Sequence, residues 1–203
     1  MMKWIAGIVI AVVIVAGIGL YLIMKGPDLS KYEYLKDPQI SEKPDQTMLV
    51  VEAKGDPNVV AGKAFGLLFS TYYKLRNNQK SFGLAPRARW SQSILTTNKE
   101  DWVGRYALPV SPGAKLPDKF KIDDPDLKVS IVTWKYGTVA EILHIGAYSE
   151  EPATVKNLLD FIEVNGYRVS GDHEEEYLRG PGMFGKGDPN QYYTIIRYTV
   201  FKP

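Results

Sequence analysis

The chain has 203 residues, with 45% apolar and 24% charged side chains, a formal net charge of +2 and no cysteine. The missing cysteine excludes a disulfide scaffold, a Cys-ligated zinc site and a thiolate nucleophile, and two histidines, His144 and His173, do not make a His-rich metal cage. A net charge of +2 gives no electrostatic case for nucleic acid, and 12% aromatic residues argue for a packed core rather than a disordered chain.

Residues 4–24 carry no charge, and their only non-apolar positions are Gly7, Gly17 and Gly19. A helix of that length spans about 30 Å, the thickness of a hydrocarbon core. Trp4 and Tyr21 stand near its ends, where amphipathic rings favour the interface, and Lys3 and Lys25 flank it. A cleaved signal peptide has a shorter core of roughly 7–15 residues and a small-residue cleavage site. This run instead ends in Tyr-Leu-Ile-Met-Lys. Residues 1–25 therefore read as an uncleaved, single-pass transmembrane anchor. The Lys count is higher after the run (Lys25, Lys31, Lys36) than before it (Lys3), which favours the cytoplasmic side for the rest of the chain, while a very short basic start before an apolar run also describes a signal anchor that exports its C-terminal side. Residues 26–46, polar and punctuated by Pro27, Pro38 and Pro44, read as a tether.

The β-branched run at 47–53 predicts a strand. Asp56-Pro57 offers a helix cap with proline in the first turn, and apolar residues at mixed three- and four-residue spacing carry that helix to about Arg76, closed by Asn77 and Asn78. Strands follow at 89–95 and 102–110, and then a proline-rich connection over 111–127. Strands at 129–135 and 139–145 flank a Tyr-Gly turn. Ser149 can cap a second helix that starts at Glu150, with Glu150 and Glu151 in the acid-favouring first turn. Val155, Leu158, Leu159 and Ile162 form its buried stripe and Gly166 its left-handed end. Strands at 167–169, 172–178 and 192–201 complete the chain. The order suggests an α+β fold of two duplicated strand–helix–strand–strand units, about 47–110 and 127–203, each an antiparallel sheet with one helix.

The glycine-rich segment 180–187 contains Lys186 but lacks phosphate-loop spacing and the following Ser or Thr, so it reads as a turn. The acidic run at 173–177 is more informative. Strand alternation puts His173, Glu175 and Tyr177 on one face and turns Glu174 and Glu176 to the other, as a solvated edge. A carboxylate among aromatic groups binds a cation or works as a general base. The competing reading is an ion pair between Glu175 and Arg197. Trp90, Trp102, Trp134, Tyr106, Tyr148, Tyr192, Tyr193 and Tyr198 are spread over the strands, and a few of them would line a pocket.

The stretch from Ile142 to Tyr167, with its His-Ile-Gly-Ala-Tyr strand end, acidic helix start and Asn-Gly-Tyr helix end, resembles the GyrI-like small-molecule-binding family. Gly-Asp-His-Glu-Glu-Glu-Tyr-Leu at 171–178 and Thr-Ile-Ile-Arg-Tyr-Thr-Val at 194–200 are similar to two further blocks of that family, in the same order. Ala147, Glu176, Gly180 and Thr199 depart from the family pattern. The resemblance implies a pseudo-twofold pair of α+β units with a cleft between them. It also implies a ligand site in that cleft for hydrophobic or cationic small molecules, with Glu175 among aromatics, Tyr177 two residues on, and Tyr148 at the family's tyrosine position; Trp90, Trp102 and His173 are expected to complete the lining. No metal and no cofactor are expected. The expected function is a membrane-anchored binding module for small amphipathic or cationic molecules. The alternatives are an accessory or scaffold subunit of a membrane protein complex, and a hydrolase of strained or activated electrophiles with Glu175 as its general base.

Overall fold

The computed structural model describes residues 28–81, 83–91, 98–181 and 187–203. Among the described residues, nine strands and two α-helices make an α+β fold. The strands are β1 (Gln39–Lys43), β2 (Gln46–Lys54), β3 (Arg87–Trp90), β4 (Val103–Pro109), β5 (Leu127–Trp134), β6 (Gly137–Ile145), β7 (Arg168–Val169), β8 (His173–Arg179) and β9 (Tyr193–Phe201). Eight of them form one antiparallel sheet in the order β1-β6-β9-β8-β3-β4-β2-β5, and β7 pairs with the end of β9. Helix α1 (Pro57–Tyr72) packs on β2 and β4, and helix α2 (Glu151–Val164) packs on β6 and β7. Both lie on the same face, one on each half of the sheet, and the central strands β3 and β8 run between them.

Local chemistry explains these elements. Asp56 caps α1 by accepting from the Asn58 backbone N–H at 2.9 Å, and Pro57 fits the first turn, where no donor is needed. Ala64, Leu68 and Tyr72 bury the inner side of α1 against Leu49, Val51, Tyr106 and Leu108. Leu158 and Ile162 of α2 do the same against Ala140, Ile142, Ile196 and Val200. Strand β2 reads as a continuous apolar run because it is covered twice. Leu49, Val51 and Ala53 face α1, while Met48 and Val50 pack with Ala107, Trp134 and Tyr136 on the helix-free face.

The structure differs from the sequence reading in several places. Part of the expected tether is folded: residues Ser30–Lys36 form a 3₁₀ turn that buries Leu35 against Leu143, Leu178 and Ile195, and β1 joins the sheet beside β6. Helix α1 stops at Tyr72, short of Arg76. Ser149 does not cap α2. It lies in a 3₁₀ turn, Tyr148–Glu150, that leads into the helix, and no side chain supplies the cap. Gly166 does end α2, at φ +75°. The expected strand over 89–95 ends at Trp90, and residues 92–97 lie outside the described residues. So do the predicted anchor and most of the glycine-rich turn. Among the described residues no helix is long and apolar enough to cross a membrane.

Candidate functional site

Strand β8 lies at the centre of the sheet, and its register decides which side chains meet. Its neighbours bring Trp90 opposite His173, Ala88 opposite Glu175 and Thr194 opposite Tyr177. On the helix face, His173, Glu175 and Tyr177 therefore sit in the gap between α1 and α2. The side chain beside Glu175 on β3 is the small Ala88.

Glu175 is only 8% exposed, and two neighbours on its own strand satisfy it. His173 Nε2 lies 2.8 Å from Oε1, and the Tyr177 hydroxyl donates to Oε2 at 2.6 Å. His173 Nδ1 in turn lies 2.7 Å from the Tyr198 hydroxyl. With Nε2 donating to the carboxylate, Nδ1 accepts from Tyr198, and both ring nitrogens are used. Aromatic rings close around this chain. Trp90 lies 6.0 Å from the His173 ring, Phe65 of α1 lies 6.0 Å from Tyr177, and Tyr148 lies 5.7 Å from Tyr177. Tyr148, 39% exposed, forms the lip together with Tyr192 at 5.2 Å.

The second acid of the cluster was not among the sequence-predicted residues. Glu151, in the first turn of α2, is 8% exposed and faces Glu175. Burial first, then the charge of Glu175 and a hydrogen bond to it, push the Glu151 pKa up to about 9; the Thr194 hydroxyl opposes the shift. At neutral pH Glu151 therefore keeps its proton. Burial and the two acids also raise the tyrosines. Tyr177 lies well above its usual value and Tyr148 is raised. Tyr106 and Tyr198 reach about 12, by burial and the charge of Glu175. Among the described residues, the charges acting on Glu151, Tyr177 and Tyr148 come from acids and other tyrosines. Buried polar atoms also remain unused. Trp90 Nε1, the Tyr106 hydroxyl and Glu151 Oε1 have no partner among the described residues. Unpaired polar groups in a buried, negatively charged aromatic cluster suit a ligand that brings its own positive charge and hydrogen bonds.

Five of the six predicted residues thus form one cluster: Glu175, Tyr177, Tyr148, Trp90 and His173. Trp102 is half-buried against the α1 core, with the Lys99 ammonium 6.0 Å from its ring, and is joined to the cluster through that core. A signal for Glu151 was present in the sequence. The buried stripe Val155, Leu158, Ile162 extended one turn back falls on residue 151.

The opposite face corrects another expectation. Glu174 and Glu176 are not a solvated edge: they are 2% and 9% exposed. Arg197 does not pair with Glu175. It lies on the helix-free face and binds Glu174, Glu176 at 3.0 Å and Glu141 at 2.5 Å. Arg87 and Arg89 join it, Arg89 bonding Glu174 at 2.6 Å, and the Tyr136 hydroxyl donates to Glu174 at 3.0 Å. The alternation that turns Glu175 to the helix face sends its two neighbours into an ionic cluster. Among the described residues no group of three or more His, Asp or Glu side chains is placed to hold a metal ion.

A model of the GyrI-like small molecule binding domain matches residues 36–197. The chain belongs to the GyrI-like family. No curated protein sequence matches it. A solved structure described as a hydrolase from Listeria innocua is similar to this GyrI-like domain, with a TM-score of 0.64 at 22% identity, covering 86% of this chain and 99% of that one. A structure described as an uncharacterized conserved protein from Listeria innocua gives 0.63 at 22%, covering 86% and 99%. The EcmrR C-terminal domain gives 0.61 at 14%, covering 82% and 98%. At these identities the likeness carries the fold alone.

Proposed function

We propose that this GyrI-like domain binds small amphipathic cations over β8, between α1 and α2, with Glu175 as the counter-charge and Tyr148, Tyr177 and Trp90 as walls. The observation that carries this reading is a buried carboxyl pair, Glu175 and Glu151, enclosed by aromatic rings, whose ion-pair partner among the described residues is His173 and no lysine or arginine. A desolvated cation gains from both the carboxylate and the ring faces. Residues 4–24 would hold the domain at a membrane, as their uncharged length suggests. The strand order supports two duplicated units: from the centre outward each half reads second, third and first strand of its unit (β3, β4, β2 and β8, β9, β6).

The test is calorimetric titration of the full chain in uncharged detergent with 2-naphthylmethylammonium. We expect saturable binding that Glu175→Gln weakens by about tenfold or more, with an unchanged circular dichroism spectrum. Equal affinity in the variant refutes the reading.

One observation favours a second reading, a hydrolase. Glu151 keeps its proton near neutral pH beside Glu175, so the cluster pairs a general acid with a general base. Under this reading, strained or activated electrophiles are turned over, and Glu151→Gln and Glu175→Gln each abolish turnover. Binding without turnover leaves the first reading standing alone.

A further inference from the structure

We propose that the helix-free face of the sheet carries a second small-molecule site, for a compact carboxylate with an apolar body, in the groove over β5, β2, β4 and β3. The charged side chains of this face form one cross-strand row. Lys128, Glu52, Arg105, Arg89, Glu174, Arg197 and Glu141 are successive partners across seven adjacent strands. Their signs alternate at every step but one. Arg105 and Arg89 stand directly opposite each other, an arrangement that destabilises a strand pair unless an anion intervenes.

A groove of about 420 Å³ opens at that break, a volume within the usual range for small-molecule sites. Arg89, Arg105, Lys128 and Glu52 line it, with Val50, Val132 and Trp134 as its apolar lining. Glu52, in the lining, lies 3.5 Å from Arg105 Nε and 3.8 Å from Lys128 Nζ, and the other acids that hold the two arginines stand outside it: Arg89 Nε bonds Glu174 at 2.6 Å, and an Arg105 terminal nitrogen bonds Asp172 at 2.8 Å. Within the groove, three cations therefore face one carboxylate. Each guanidinium has five donors, and these bonds to acids leave donors for a bound carboxylate between the two arginines. Arg89 is also fixed in place, its guanidinium 3.9 Å from the Trp134 ring, so little ordering is needed on binding. Glu175 and its cluster lie across the sheet on the helix face, so the groove is independent of the cationic-ligand reading.

The experiment titrates the full chain in uncharged detergent, at low ionic strength, with 2-naphthoate. Saturable binding is expected. Arg105→Gln, at a side chain that is partly exposed, should weaken it by about tenfold or more. Ser130→Trp, which fills the groove and keeps every charge, should abolish it. Glu175→Gln should leave it unchanged. Circular dichroism and thermal melting check that each variant is folded. The proposal is overturned by naphthoate binding that survives both groove variants, by binding lost in Glu175→Gln, or by no saturable binding at millimolar probe. It is also overturned if sedimentation shows a dimer that Ser130→Trp dissociates, because the face then belongs to a second copy of the chain.

Discussion

Replacing Arg197 with methionine removes the centre of the ionic cluster and keeps the side-chain volume nearly constant. Arg197 is 1% exposed and holds three carboxylates, those of Glu141, Glu174 and Glu176. Removing one partner of a buried ion pair costs about 3–5 kcal/mol, because a charge is left unpaired in low dielectric. Here each orphaned carboxylate keeps another cation: Lys43 lies 3.3 Å from Glu141, Arg87 3.2 Å from Glu176 and Arg89 2.6 Å from Glu174. That places the loss at the lower end, about 3 kcal/mol, or a fall in Tm of roughly 6–12 °C for a domain of this size. The loss has a pH signature. Burial alone would raise Glu141 and Glu176, but Arg197 and its neighbouring cations reverse this and hold both below the usual carboxylate range. In the native protein these groups contribute stability above the unfolded carboxylate pKa, and it is lost as pH falls through their lowered folded values. Without Arg197 both values rise from their native positions, and protonation then relieves the variant. The difference between native and variant should be largest near neutral pH and shrink towards pH ~5. Urea unfolding of the full chain, followed by tryptophan fluorescence at both pH values, measures it. A loss below about 1 kcal/mol at neutral pH, or one that grows on acidification, would refute the reasoning.

Other outcomes follow from the same geometry. Affinity for 2-naphthylmethylammonium should rise with pH up to about 9, where Glu151 gives up its proton, and Glu151→Gln should flatten that profile in calorimetric titrations. The raised Glu151 value also means that its stability contribution is full below the unfolded carboxylate pKa and is lost as pH rises through about 9. Glu151→Gln, uncharged throughout, should therefore gain in Tm over the native chain as pH rises, by thermal melting. Leu158→Ala, at a position fully buried under α2, should cost about 2–5 kcal/mol in chemical denaturation. Gly166→Ala should cost about 1–2 kcal/mol, because φ is +75° there while a Cβ would meet nothing within 4 Å, so the loss is one of backbone conformation alone.

Much of the local structure is written in residue spacing. The apolar run at the start of β2, the Asp56-Pro57 entry to α1 and Gly166 at the end of α2 are decided by neighbours in the chain, and all three appear where the sequence places them. Period-two alternation also put His173, Glu175 and Tyr177 on one face of β8, and those three side chains do bond one another. The folded stretch before β2 was less legible. Its prolines and charges read as a linker, and only the docking of Leu35 and the pairing of β1 with β6 reveal its place.

The sequence by itself determined most elements from β2 onward and the strand faces, including that of Glu175, because these follow from backbone periodicity over a few residues. The tertiary structure alone decided what each face meets. Alternation separates Glu175 from Glu174 and Glu176 but says nothing of whether the second face is wet. That depends on the register of strands far apart in sequence, which sets Arg197 beside Glu174 and Glu141. Likewise a glutamate in the first turn of a helix is ordinarily solvated. Glu151 is buried against Glu175 because α2 packs at the edge of the gap over β8, a contact between elements that no local pattern encodes.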